Sequence, residues 1–179
     1  RDRHTCDLVD GRDVDWADAM ATAAAVDPVP VAATDPLYVL YTSGTTGRPK
    51  GMQIEHAGLS NFLRAMDEKP GISAEDRLLA LTTLSFDIAG LEIYLPLVTC
   101  AVVVIASYED AHDGDRLQKL LHKERISYLQ ATPATYKLLL ASGWQDGRGL
   151  KLLCGGEALA RGLAAELLGL GAELWNVYG

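Results

Sequence analysis

Short apolar runs bounded by polar or glycine-containing turns alternate along this chain with stretches whose apolar residues recur every three or four positions. The runs at 37–41, 77–83, 101–106, 126–131, 150–154 and 172–177 read as strands. Val102-Val103-Val104-Ile105 is continuously apolar, the pattern of a strand covered on both faces. Between them, 58–68 carries Leu59, Phe62, Leu63 and Met66 at helical spacing, 113–124 carries Leu117, Leu120 and Leu121, and 159–168 carries Leu159, Leu163 and Leu167. Segment 133–142 opens on Pro133, which suits a first helical turn. Asp87 stands before another helix candidate, 88–97. This alternation predicts an α/β fold of layered, mostly parallel sheets flanked by helices, with ligand groups gathered at strand ends.

The first 36 residues differ. Segment 13–26 is rich in Ala and Asp and predicts a short surface helix, and the prolines of 27–36 predict an extended connector. The chain thus divides into a lead-in, 1–36, and a core, 37–179. No internal repeat is evident.

Composition narrows the classes. The 179 residues suit one domain or part of a larger one, with 49% apolar and 22% charged residues, as soluble proteins have. A formal net charge of −8 argues against nucleic acid and against an anionic membrane as partners. The longest apolar candidate for a membrane span, 88–106, is broken by Glu92 and Pro96. Arg1-Asp2-Arg3-His4 has no apolar core behind it, so no signal peptide is expected. With no initiator Met and an abrupt stop at Tyr178-Gly179, the expectation is an internal piece of a longer protein. The three cysteines, Cys6, Cys100 and Cys154, are odd in number and widely spaced, which predicts free thiols in a reducing cytoplasm. Cys6 and His4 are two donors, too few for zinc, so no metal site is expected. Cys100 and Cys154 lie in apolar runs and read as small core residues.

The densest chemistry is Thr42-Ser43-Gly44-Thr45-Thr46-Gly47-Arg48-Pro49-Lys50-Gly51, directly after an apolar run. Glycines let backbone N–H groups turn inward, hydroxyls add donors, and Lys50 adds a positive point charge. This is a loop suited to polyphosphate; the plainer alternative is a polar turn between strands. It departs from the P-loop, because Gly44 and Gly47 are two residues apart and Pro49 precedes Lys50. Pro49 also pushes Arg48 out of helical conformation, so the loop does not open a helix. A hydrolytic triad fits poorly: His56, His112 and His122 lack partners at recognisable spacing, and Ser43 lacks a strand-elbow-helix context.

Tyr41 through Gly51 resembles the phosphate loop of the adenylate-forming (AMP-binding) superfamily. Ser85-Phe86-Asp87-Ile88-Ala89-Gly90-Leu91-Glu92 resembles the Phe-Asp substrate motif of nonribosomal peptide synthetase adenylation domains, and Leu129-Gln130-Ala131-Thr132-Pro133 their next pocket strand. Leu153-Cys154-Gly155-Gly156-Glu157-Ala158-Leu159 is similar to their adenine-side segment, and Asn176-Val177-Tyr178-Gly179 to the start of a further motif. One stretch departs from this. From Val9 to Gly51, with Val14-Asp15-Trp16, the text is closer to acetyl- or propionyl-CoA synthetases, whereas from Ile54-Glu55-His56 onward it resembles peptide synthetases.

The resemblance implies part of the large N-terminal domain of an adenylate-forming enzyme, one that joins an amino-acid carboxylate to ATP as aminoacyl-AMP and releases pyrophosphate. It assigns Thr42, Ser43, Gly44, Thr45, Thr46, Gly47 and Lys50 to the ATP phosphates, and Gly155, Gly156, Glu157, Asn176 and Tyr178 to adenine. Asp87, Ile88, Leu91, Gln130, Leu153, Gly155 and Val177 would form the substrate pocket. Mg²⁺ would assist, and the product would pass to phosphopantetheine on a peptidyl carrier domain beside condensation domains of the same synthetase. The family's catalytic lysine matches nothing here, so this piece alone is expected to turn over weakly or not at all.

Asp87 separates the substrate classes. Among Leu84, Phe86, Ile88 and Leu91 a buried carboxylate would be costly unless an ammonium pairs with it, which implies an amino acid. As an N-cap of 88–97 it would need no ligand. Ile88, Leu91 and Gln130 would leave room for a small amino acid such as glycine or alanine. A short-chain acyl-CoA ligase and a non-catalytic nucleotide-binding module are the alternatives.

Overall fold

The computed structural model describes residues 16–42 and 48–177. The chain divides into two compact units, Arg1–Ala32 and Ala33–Gly179. In the first, α1 spans Trp16–Thr22, and 23–32 carries no regular structure.

The second unit opens with an antiparallel hairpin of β1 (Pro36–Thr42) and β2 (Lys50–Glu55), closed by the pair Thr42 and Lys50. Strand β2 was not expected. Its Met52 and Ile54 alternate with polar neighbours, but two apolar positions beside Pro49 and Gly51 are too short a signal. As read from Pro49, no helix follows the glycine-rich segment.

Next come α2 (His56–Met66) and a wider turn at Asp67–Gly71. The body of the unit is a five-stranded parallel sheet in the order β4-β3-β5-β6-β7. The strands are β3 (Arg77–Ala80), β4 (Val102–Ile105), β5 (Tyr128–Ala131), β6 (Lys151–Cys154) and β7 (Glu173–Asn176). Helices α3 (Ile88–Val98), α4 (Tyr108–Ala111), α5 (Gly114–Lys123), α6 (Pro133–Ala141) and α7 (Arg161–Gly169) connect them. The single turn α4, capped by Ser107, is too short for periodicity to reveal.

The strand alternation sorts the core onto two faces. Leu79, Leu129 and Leu152 face α5, α6 and α7, packing on Leu117, Leu121, Tyr136, Leu139, Leu163 and Leu167. Leu78, Tyr128 and Leu153 face the other way, onto Leu63 and Met66 of α2 and Leu91 and Leu95 of α3. The Tyr136 hydroxyl, fully buried, is shared between the carbonyls of Leu129 and Leu153, 3.0 Å from each, and ties β5 to β6.

The chain leaves β3 toward β4 by way of α3, and from β5 onward it travels the opposite way by way of α6 and α7. With an unchanged crossover hand, that reversal puts the connecting helices on opposite faces. It also opens a crevice at the carboxyl ends of β3 and β5, the topological switch point of such sheets.

Two expectations are corrected. Val102–Ile105 forms a parallel strand, but among the described residues it pairs only with β3 and lies at the sheet edge. Val102 is 41% and Ile105 73% exposed, because hydrophobicity alone does not separate an edge strand from an interior one. Cys100 is exposed, in a turn with φ of 60°, rather than in the core. Cys154 is buried as expected.

Candidate functional site

A cavity of about 970 Å³ opens at the carboxyl ends of the parallel strands, on the face covered by α2 and α3. Gln130 enters it from β5, Gly155, Gly156, Glu157 and Ala158 from the turn after β6, and Val177 from the end of β7. Asp87, Ile88 and Leu91 line it from the start of α3, and Leu59 and Phe62 from α2. The hairpin closes it with Tyr38, Gln53, Ile54 and Glu55.

Among the described residues the lining carries three carboxylates, Glu55, Asp87 and Glu157, and no Lys, Arg or His. Burial raises the Tyr38 phenol above its ordinary range, and the nearby Asp87 charge and Tyr94 raise it further, so it remains a neutral hydroxyl. A cavity of this sign favours a cationic or neutral ligand group at its acidic wall.

Asp87 serves two surroundings. Its Oδ1 accepts the Ile88 N–H at 2.8 Å as the N-cap of α3, and the residue lines the cavity. The cap read from the sequence is present, and the same side chain lines the cavity. The expected burial is corrected: Asp87 is exposed, as are Leu84 and Phe86, because all three sit on the loop that enters α3 and not inside the apolar layer. A carboxylate offers about four acceptor positions, so the cap leaves most of its capacity to a ligand.

Gln130 is the buried exception, 2% exposed, and its Oε1 has no hydrogen-bond partner among the described residues. Leaving such an acceptor unpaired costs about 1–3 kcal/mol.

The two glycines after β6 have structural reasons of their own. A Cβ on Gly155 would lie 2.9 Å from the Val177 carbonyl oxygen, and Gly156 has φ of +80°. They narrow the turn so that backbone, rather than side chain, forms that wall.

Six of the seven residues expected in the substrate pocket meet in this cavity: Asp87, Ile88, Leu91, Gln130, Gly155 and Val177. Leu153 does not reach it. It is fully buried in the apolar layer beneath α2 and α3, on the side-chain face of Tyr128. Of the adenine residues, Gly155, Gly156 and Glu157 line the cavity. Asn176 is exposed and outside the lining, since Trp175 and Val177 take the inward positions around it. Thr42 and Lys50 end the hairpin strands, with Lys50 exposed. Ser43, Gly44, Thr45, Thr46, Gly47 and Tyr178 lie outside the described residues, as does Cys6.

Tyr38, Gln53, Glu55, Leu59 and Phe62 were not anticipated in the lining. The hairpin and α2 reach the sheet's carboxyl edge through long-range packing that local pattern does not encode. Glu92 was also passed over. It is fully buried, and burial pushes its carboxyl above the ordinary range against three hydrogen bonds that pull it down.

Among the described residues no three His, Cys, Asp or Glu side chains converge on a cation position, and none is long and apolar enough as a helix to cross a membrane.

The chain is 45% identical over 151 residues to a dimodular nonribosomal peptide synthase of Bacillus subtilis, which spans 84% of this chain and 6% of that protein. It is 42% identical over 146 residues to the PKS-NRPS hybrid synthetase ATPKS of Aspergillus niger, over 81% of this chain and 8% of that one. A solved four-domain nonribosomal peptide synthetase bound to AMP and glycine superposes with a TM-score of 0.75 at 46% identity, covering 81% of this chain and 11% of that chain. The description AMP-binding enzyme matches residues 2–179. The chain belongs to the AMP-binding enzyme family.

Proposed function

We propose that this chain binds ATP and an amino acid within an enzyme that forms aminoacyl-AMP with release of pyrophosphate, for transfer to a carrier-protein thiol in nonribosomal peptide synthesis. The observation that carries the reading is the acidic cavity, whose lining among the described residues holds three carboxylates, Asp87 among them, and no cationic side chain. An α-ammonium group satisfies that wall, and acetate or propionate does not.

In the reaction a substrate carboxylate oxygen attacks the α-phosphorus of ATP, the bond to the bridging oxygen of pyrophosphate breaks, and pyrophosphate leaves. Asp87 pairs with the ammonium and orients the carboxylate, which brings two anionic partners together in a fixed geometry. Ile88, Leu91 and Gln130 limit side-chain room and favour a small amino acid. Glycine fits this reading, supported by the 46% identical synthetase solved with AMP and glycine. Gly155, Gly156 and Glu157 form the adenine wall, extended by Asn176 and Tyr178. Thr42, Ser43, Gly44, Thr45, Thr46, Gly47 and Lys50 hold the phosphates. Mg²⁺ supplies charge neutralisation on the phosphates when bound, and no described residue is assigned to it. Carrier and condensation domains of the same synthetase are the partners, in a reducing cytoplasm that suits free Cys100 and Cys154.

The second reading, a short-chain acyl-CoA ligase, draws on the text from Val9 to Gly51. Pyrophosphate exchange into ATP by the product of the complete reading frame separates the two. Exchange that depends on glycine or another small amino acid supports the first; exchange with acetate or propionate and with no amino acid overturns it.

A further inference from the structure

Glu92 lies fully buried in α3, and the proposed reaction gives it no part. A carboxylate in an apolar layer is costly unless donors saturate its oxygens. Here Oε2 accepts the backbone N–H of Leu81 at 2.9 Å and of Thr82 at 2.8 Å, and Oε1 accepts the Thr82 hydroxyl at 2.7 Å. All three donors belong to the two residues that follow β3.

The loop after those residues leads straight back to α3. Phe86 N–H donates to the Thr83 carbonyl at 3.0 Å, and Asp87 caps the helix. The segment from Leu81 to Asp87 is therefore held by α3 at both ends, by Glu92 at its entrance and by the Asp87 cap at its exit. One turn of helix separates Glu92 from Ile88, which lines the cavity with Asp87 and Leu91. Releasing Glu92 frees the end of β3 and lets the start of α3 shift against the sheet.

We propose that Glu92 is a positioning residue for the ammonium subsite: through Leu81 and Thr82 it fixes the start of α3, and so the place of Asp87 relative to Gln130 on β5. The inference rests on the amino-acid reading above. Glu92 touches no ligand itself. Its contacts also say which replacement preserves the role. A glutamine can keep its carbonyl oxygen on the two backbone N–H groups and donate its amide to the Thr82 hydroxyl, which is free to rotate. An alanine leaves both backbone donors unpaired.

The test is pyrophosphate exchange by the complete protein, with ATP and amino acid varied separately, using glycine or whichever proteinogenic amino acid gives the fastest exchange. Glu92→Ala is expected to raise the amino-acid KM about tenfold or more while the ATP KM stays within about twofold, and Glu92→Gln to restore the amino-acid KM to within about threefold of wild type. If Glu92→Ala does not fold, Thr82→Val, which removes only the hydroxyl contact, is expected to raise the amino-acid KM about threefold at an unchanged ATP KM. An unchanged amino-acid KM in the folded variant, parallel rises in both KM values, or no rescue by glutamine overturns the assignment. Wild-type protein without amino-acid-dependent exchange overturns the substrate reading itself, and the inference with it.

Discussion

Gln130 and Leu153 stand opposite each other in register on β5 and β6, yet only Gln130 reaches the cavity. Leu153 is sealed beneath α2 and α3 with Tyr128 and Trp175, while Gln130 lies near the carboxyl end of its strand with its Oε1 unpaired. Gln130→Leu removes that acceptor at similar volume. The amino-acid KM is expected to rise about tenfold with the ATP KM unchanged, and the melting temperature to hold or increase, since an unpaired buried acceptor is lost. A fall in melting temperature with unaltered kinetics would assign Gln130 to packing alone.

Asp87→Asn separates cap from charge. Asparagine caps a helix about as well as aspartate, so stability should stay within about 0.5 kcal/mol. Loss of a charge-assisted contact of about 1.5–3 kcal/mol should lower kcat/KM for the amino acid by roughly ten- to a hundredfold. Thermal melts and exchange kinetics on the same preparation check both halves.

Gly155→Ala pushes a methyl group to 2.9 Å from the Val177 carbonyl oxygen, a backbone atom with little freedom to yield. Overpacking of this kind costs about 1–3 kcal/mol. Because the strain falls between the ends of β6 and β7, chemical denaturation should report the loss of stability, and nucleotide binding should weaken with it.

At the opposite end of the sheet, Asp76 gives stability a pH dependence. Burial acts to raise its carboxyl, but hydrogen bonds from Ser127 Oγ at 2.7 Å and Ser73 N at 2.8 Å, with the Ser73 hydroxyl and the Lys151 charge, hold it below the ordinary range. A carboxyl depressed in the folded state stabilises the protein above its unfolded pKa of about 3.9, and that contribution fades as pH falls through the folded value. Asp76→Asn should therefore lower the melting temperature at pH 7 and flatten the acid side of the stability profile. An equal loss at pH 7 and pH 2 would contradict this.

Much of the parallel sheet was legible from residue pattern, because strands such as Leu78-Leu79 and Leu152-Leu153 are apolar on both faces and α5 and α6 carry their own caps, Asp113 and Thr132. The edge position of Val102–Ile105 was not, since neighbours in the sheet decide exposure. That Asp87, Ile88, Leu91, Gln130, Gly155 and Val177 line one cavity was legible through motif resemblance. The hairpin wall, with Tyr38, Gln53 and Glu55, depended on β2, whose signal was too short. Glu92 looked like a break in an apolar run. Its meaning depends on the Leu81 and Thr82 N–H groups, which no sequence pattern places beside it.

The most direct test is a crystal structure of the complete protein with a glycyl-adenylate analogue whose acyl phosphate is replaced by a stable sulfamoyl group. The ammonium is expected at hydrogen-bond distance, about 3 Å, from the Asp87 carboxylate with Gln130 at its side, and the adenine against the turn of Gly155, Gly156 and Glu157. An analogue seated with its ammonium away from Asp87 and Gln130 would contradict the account.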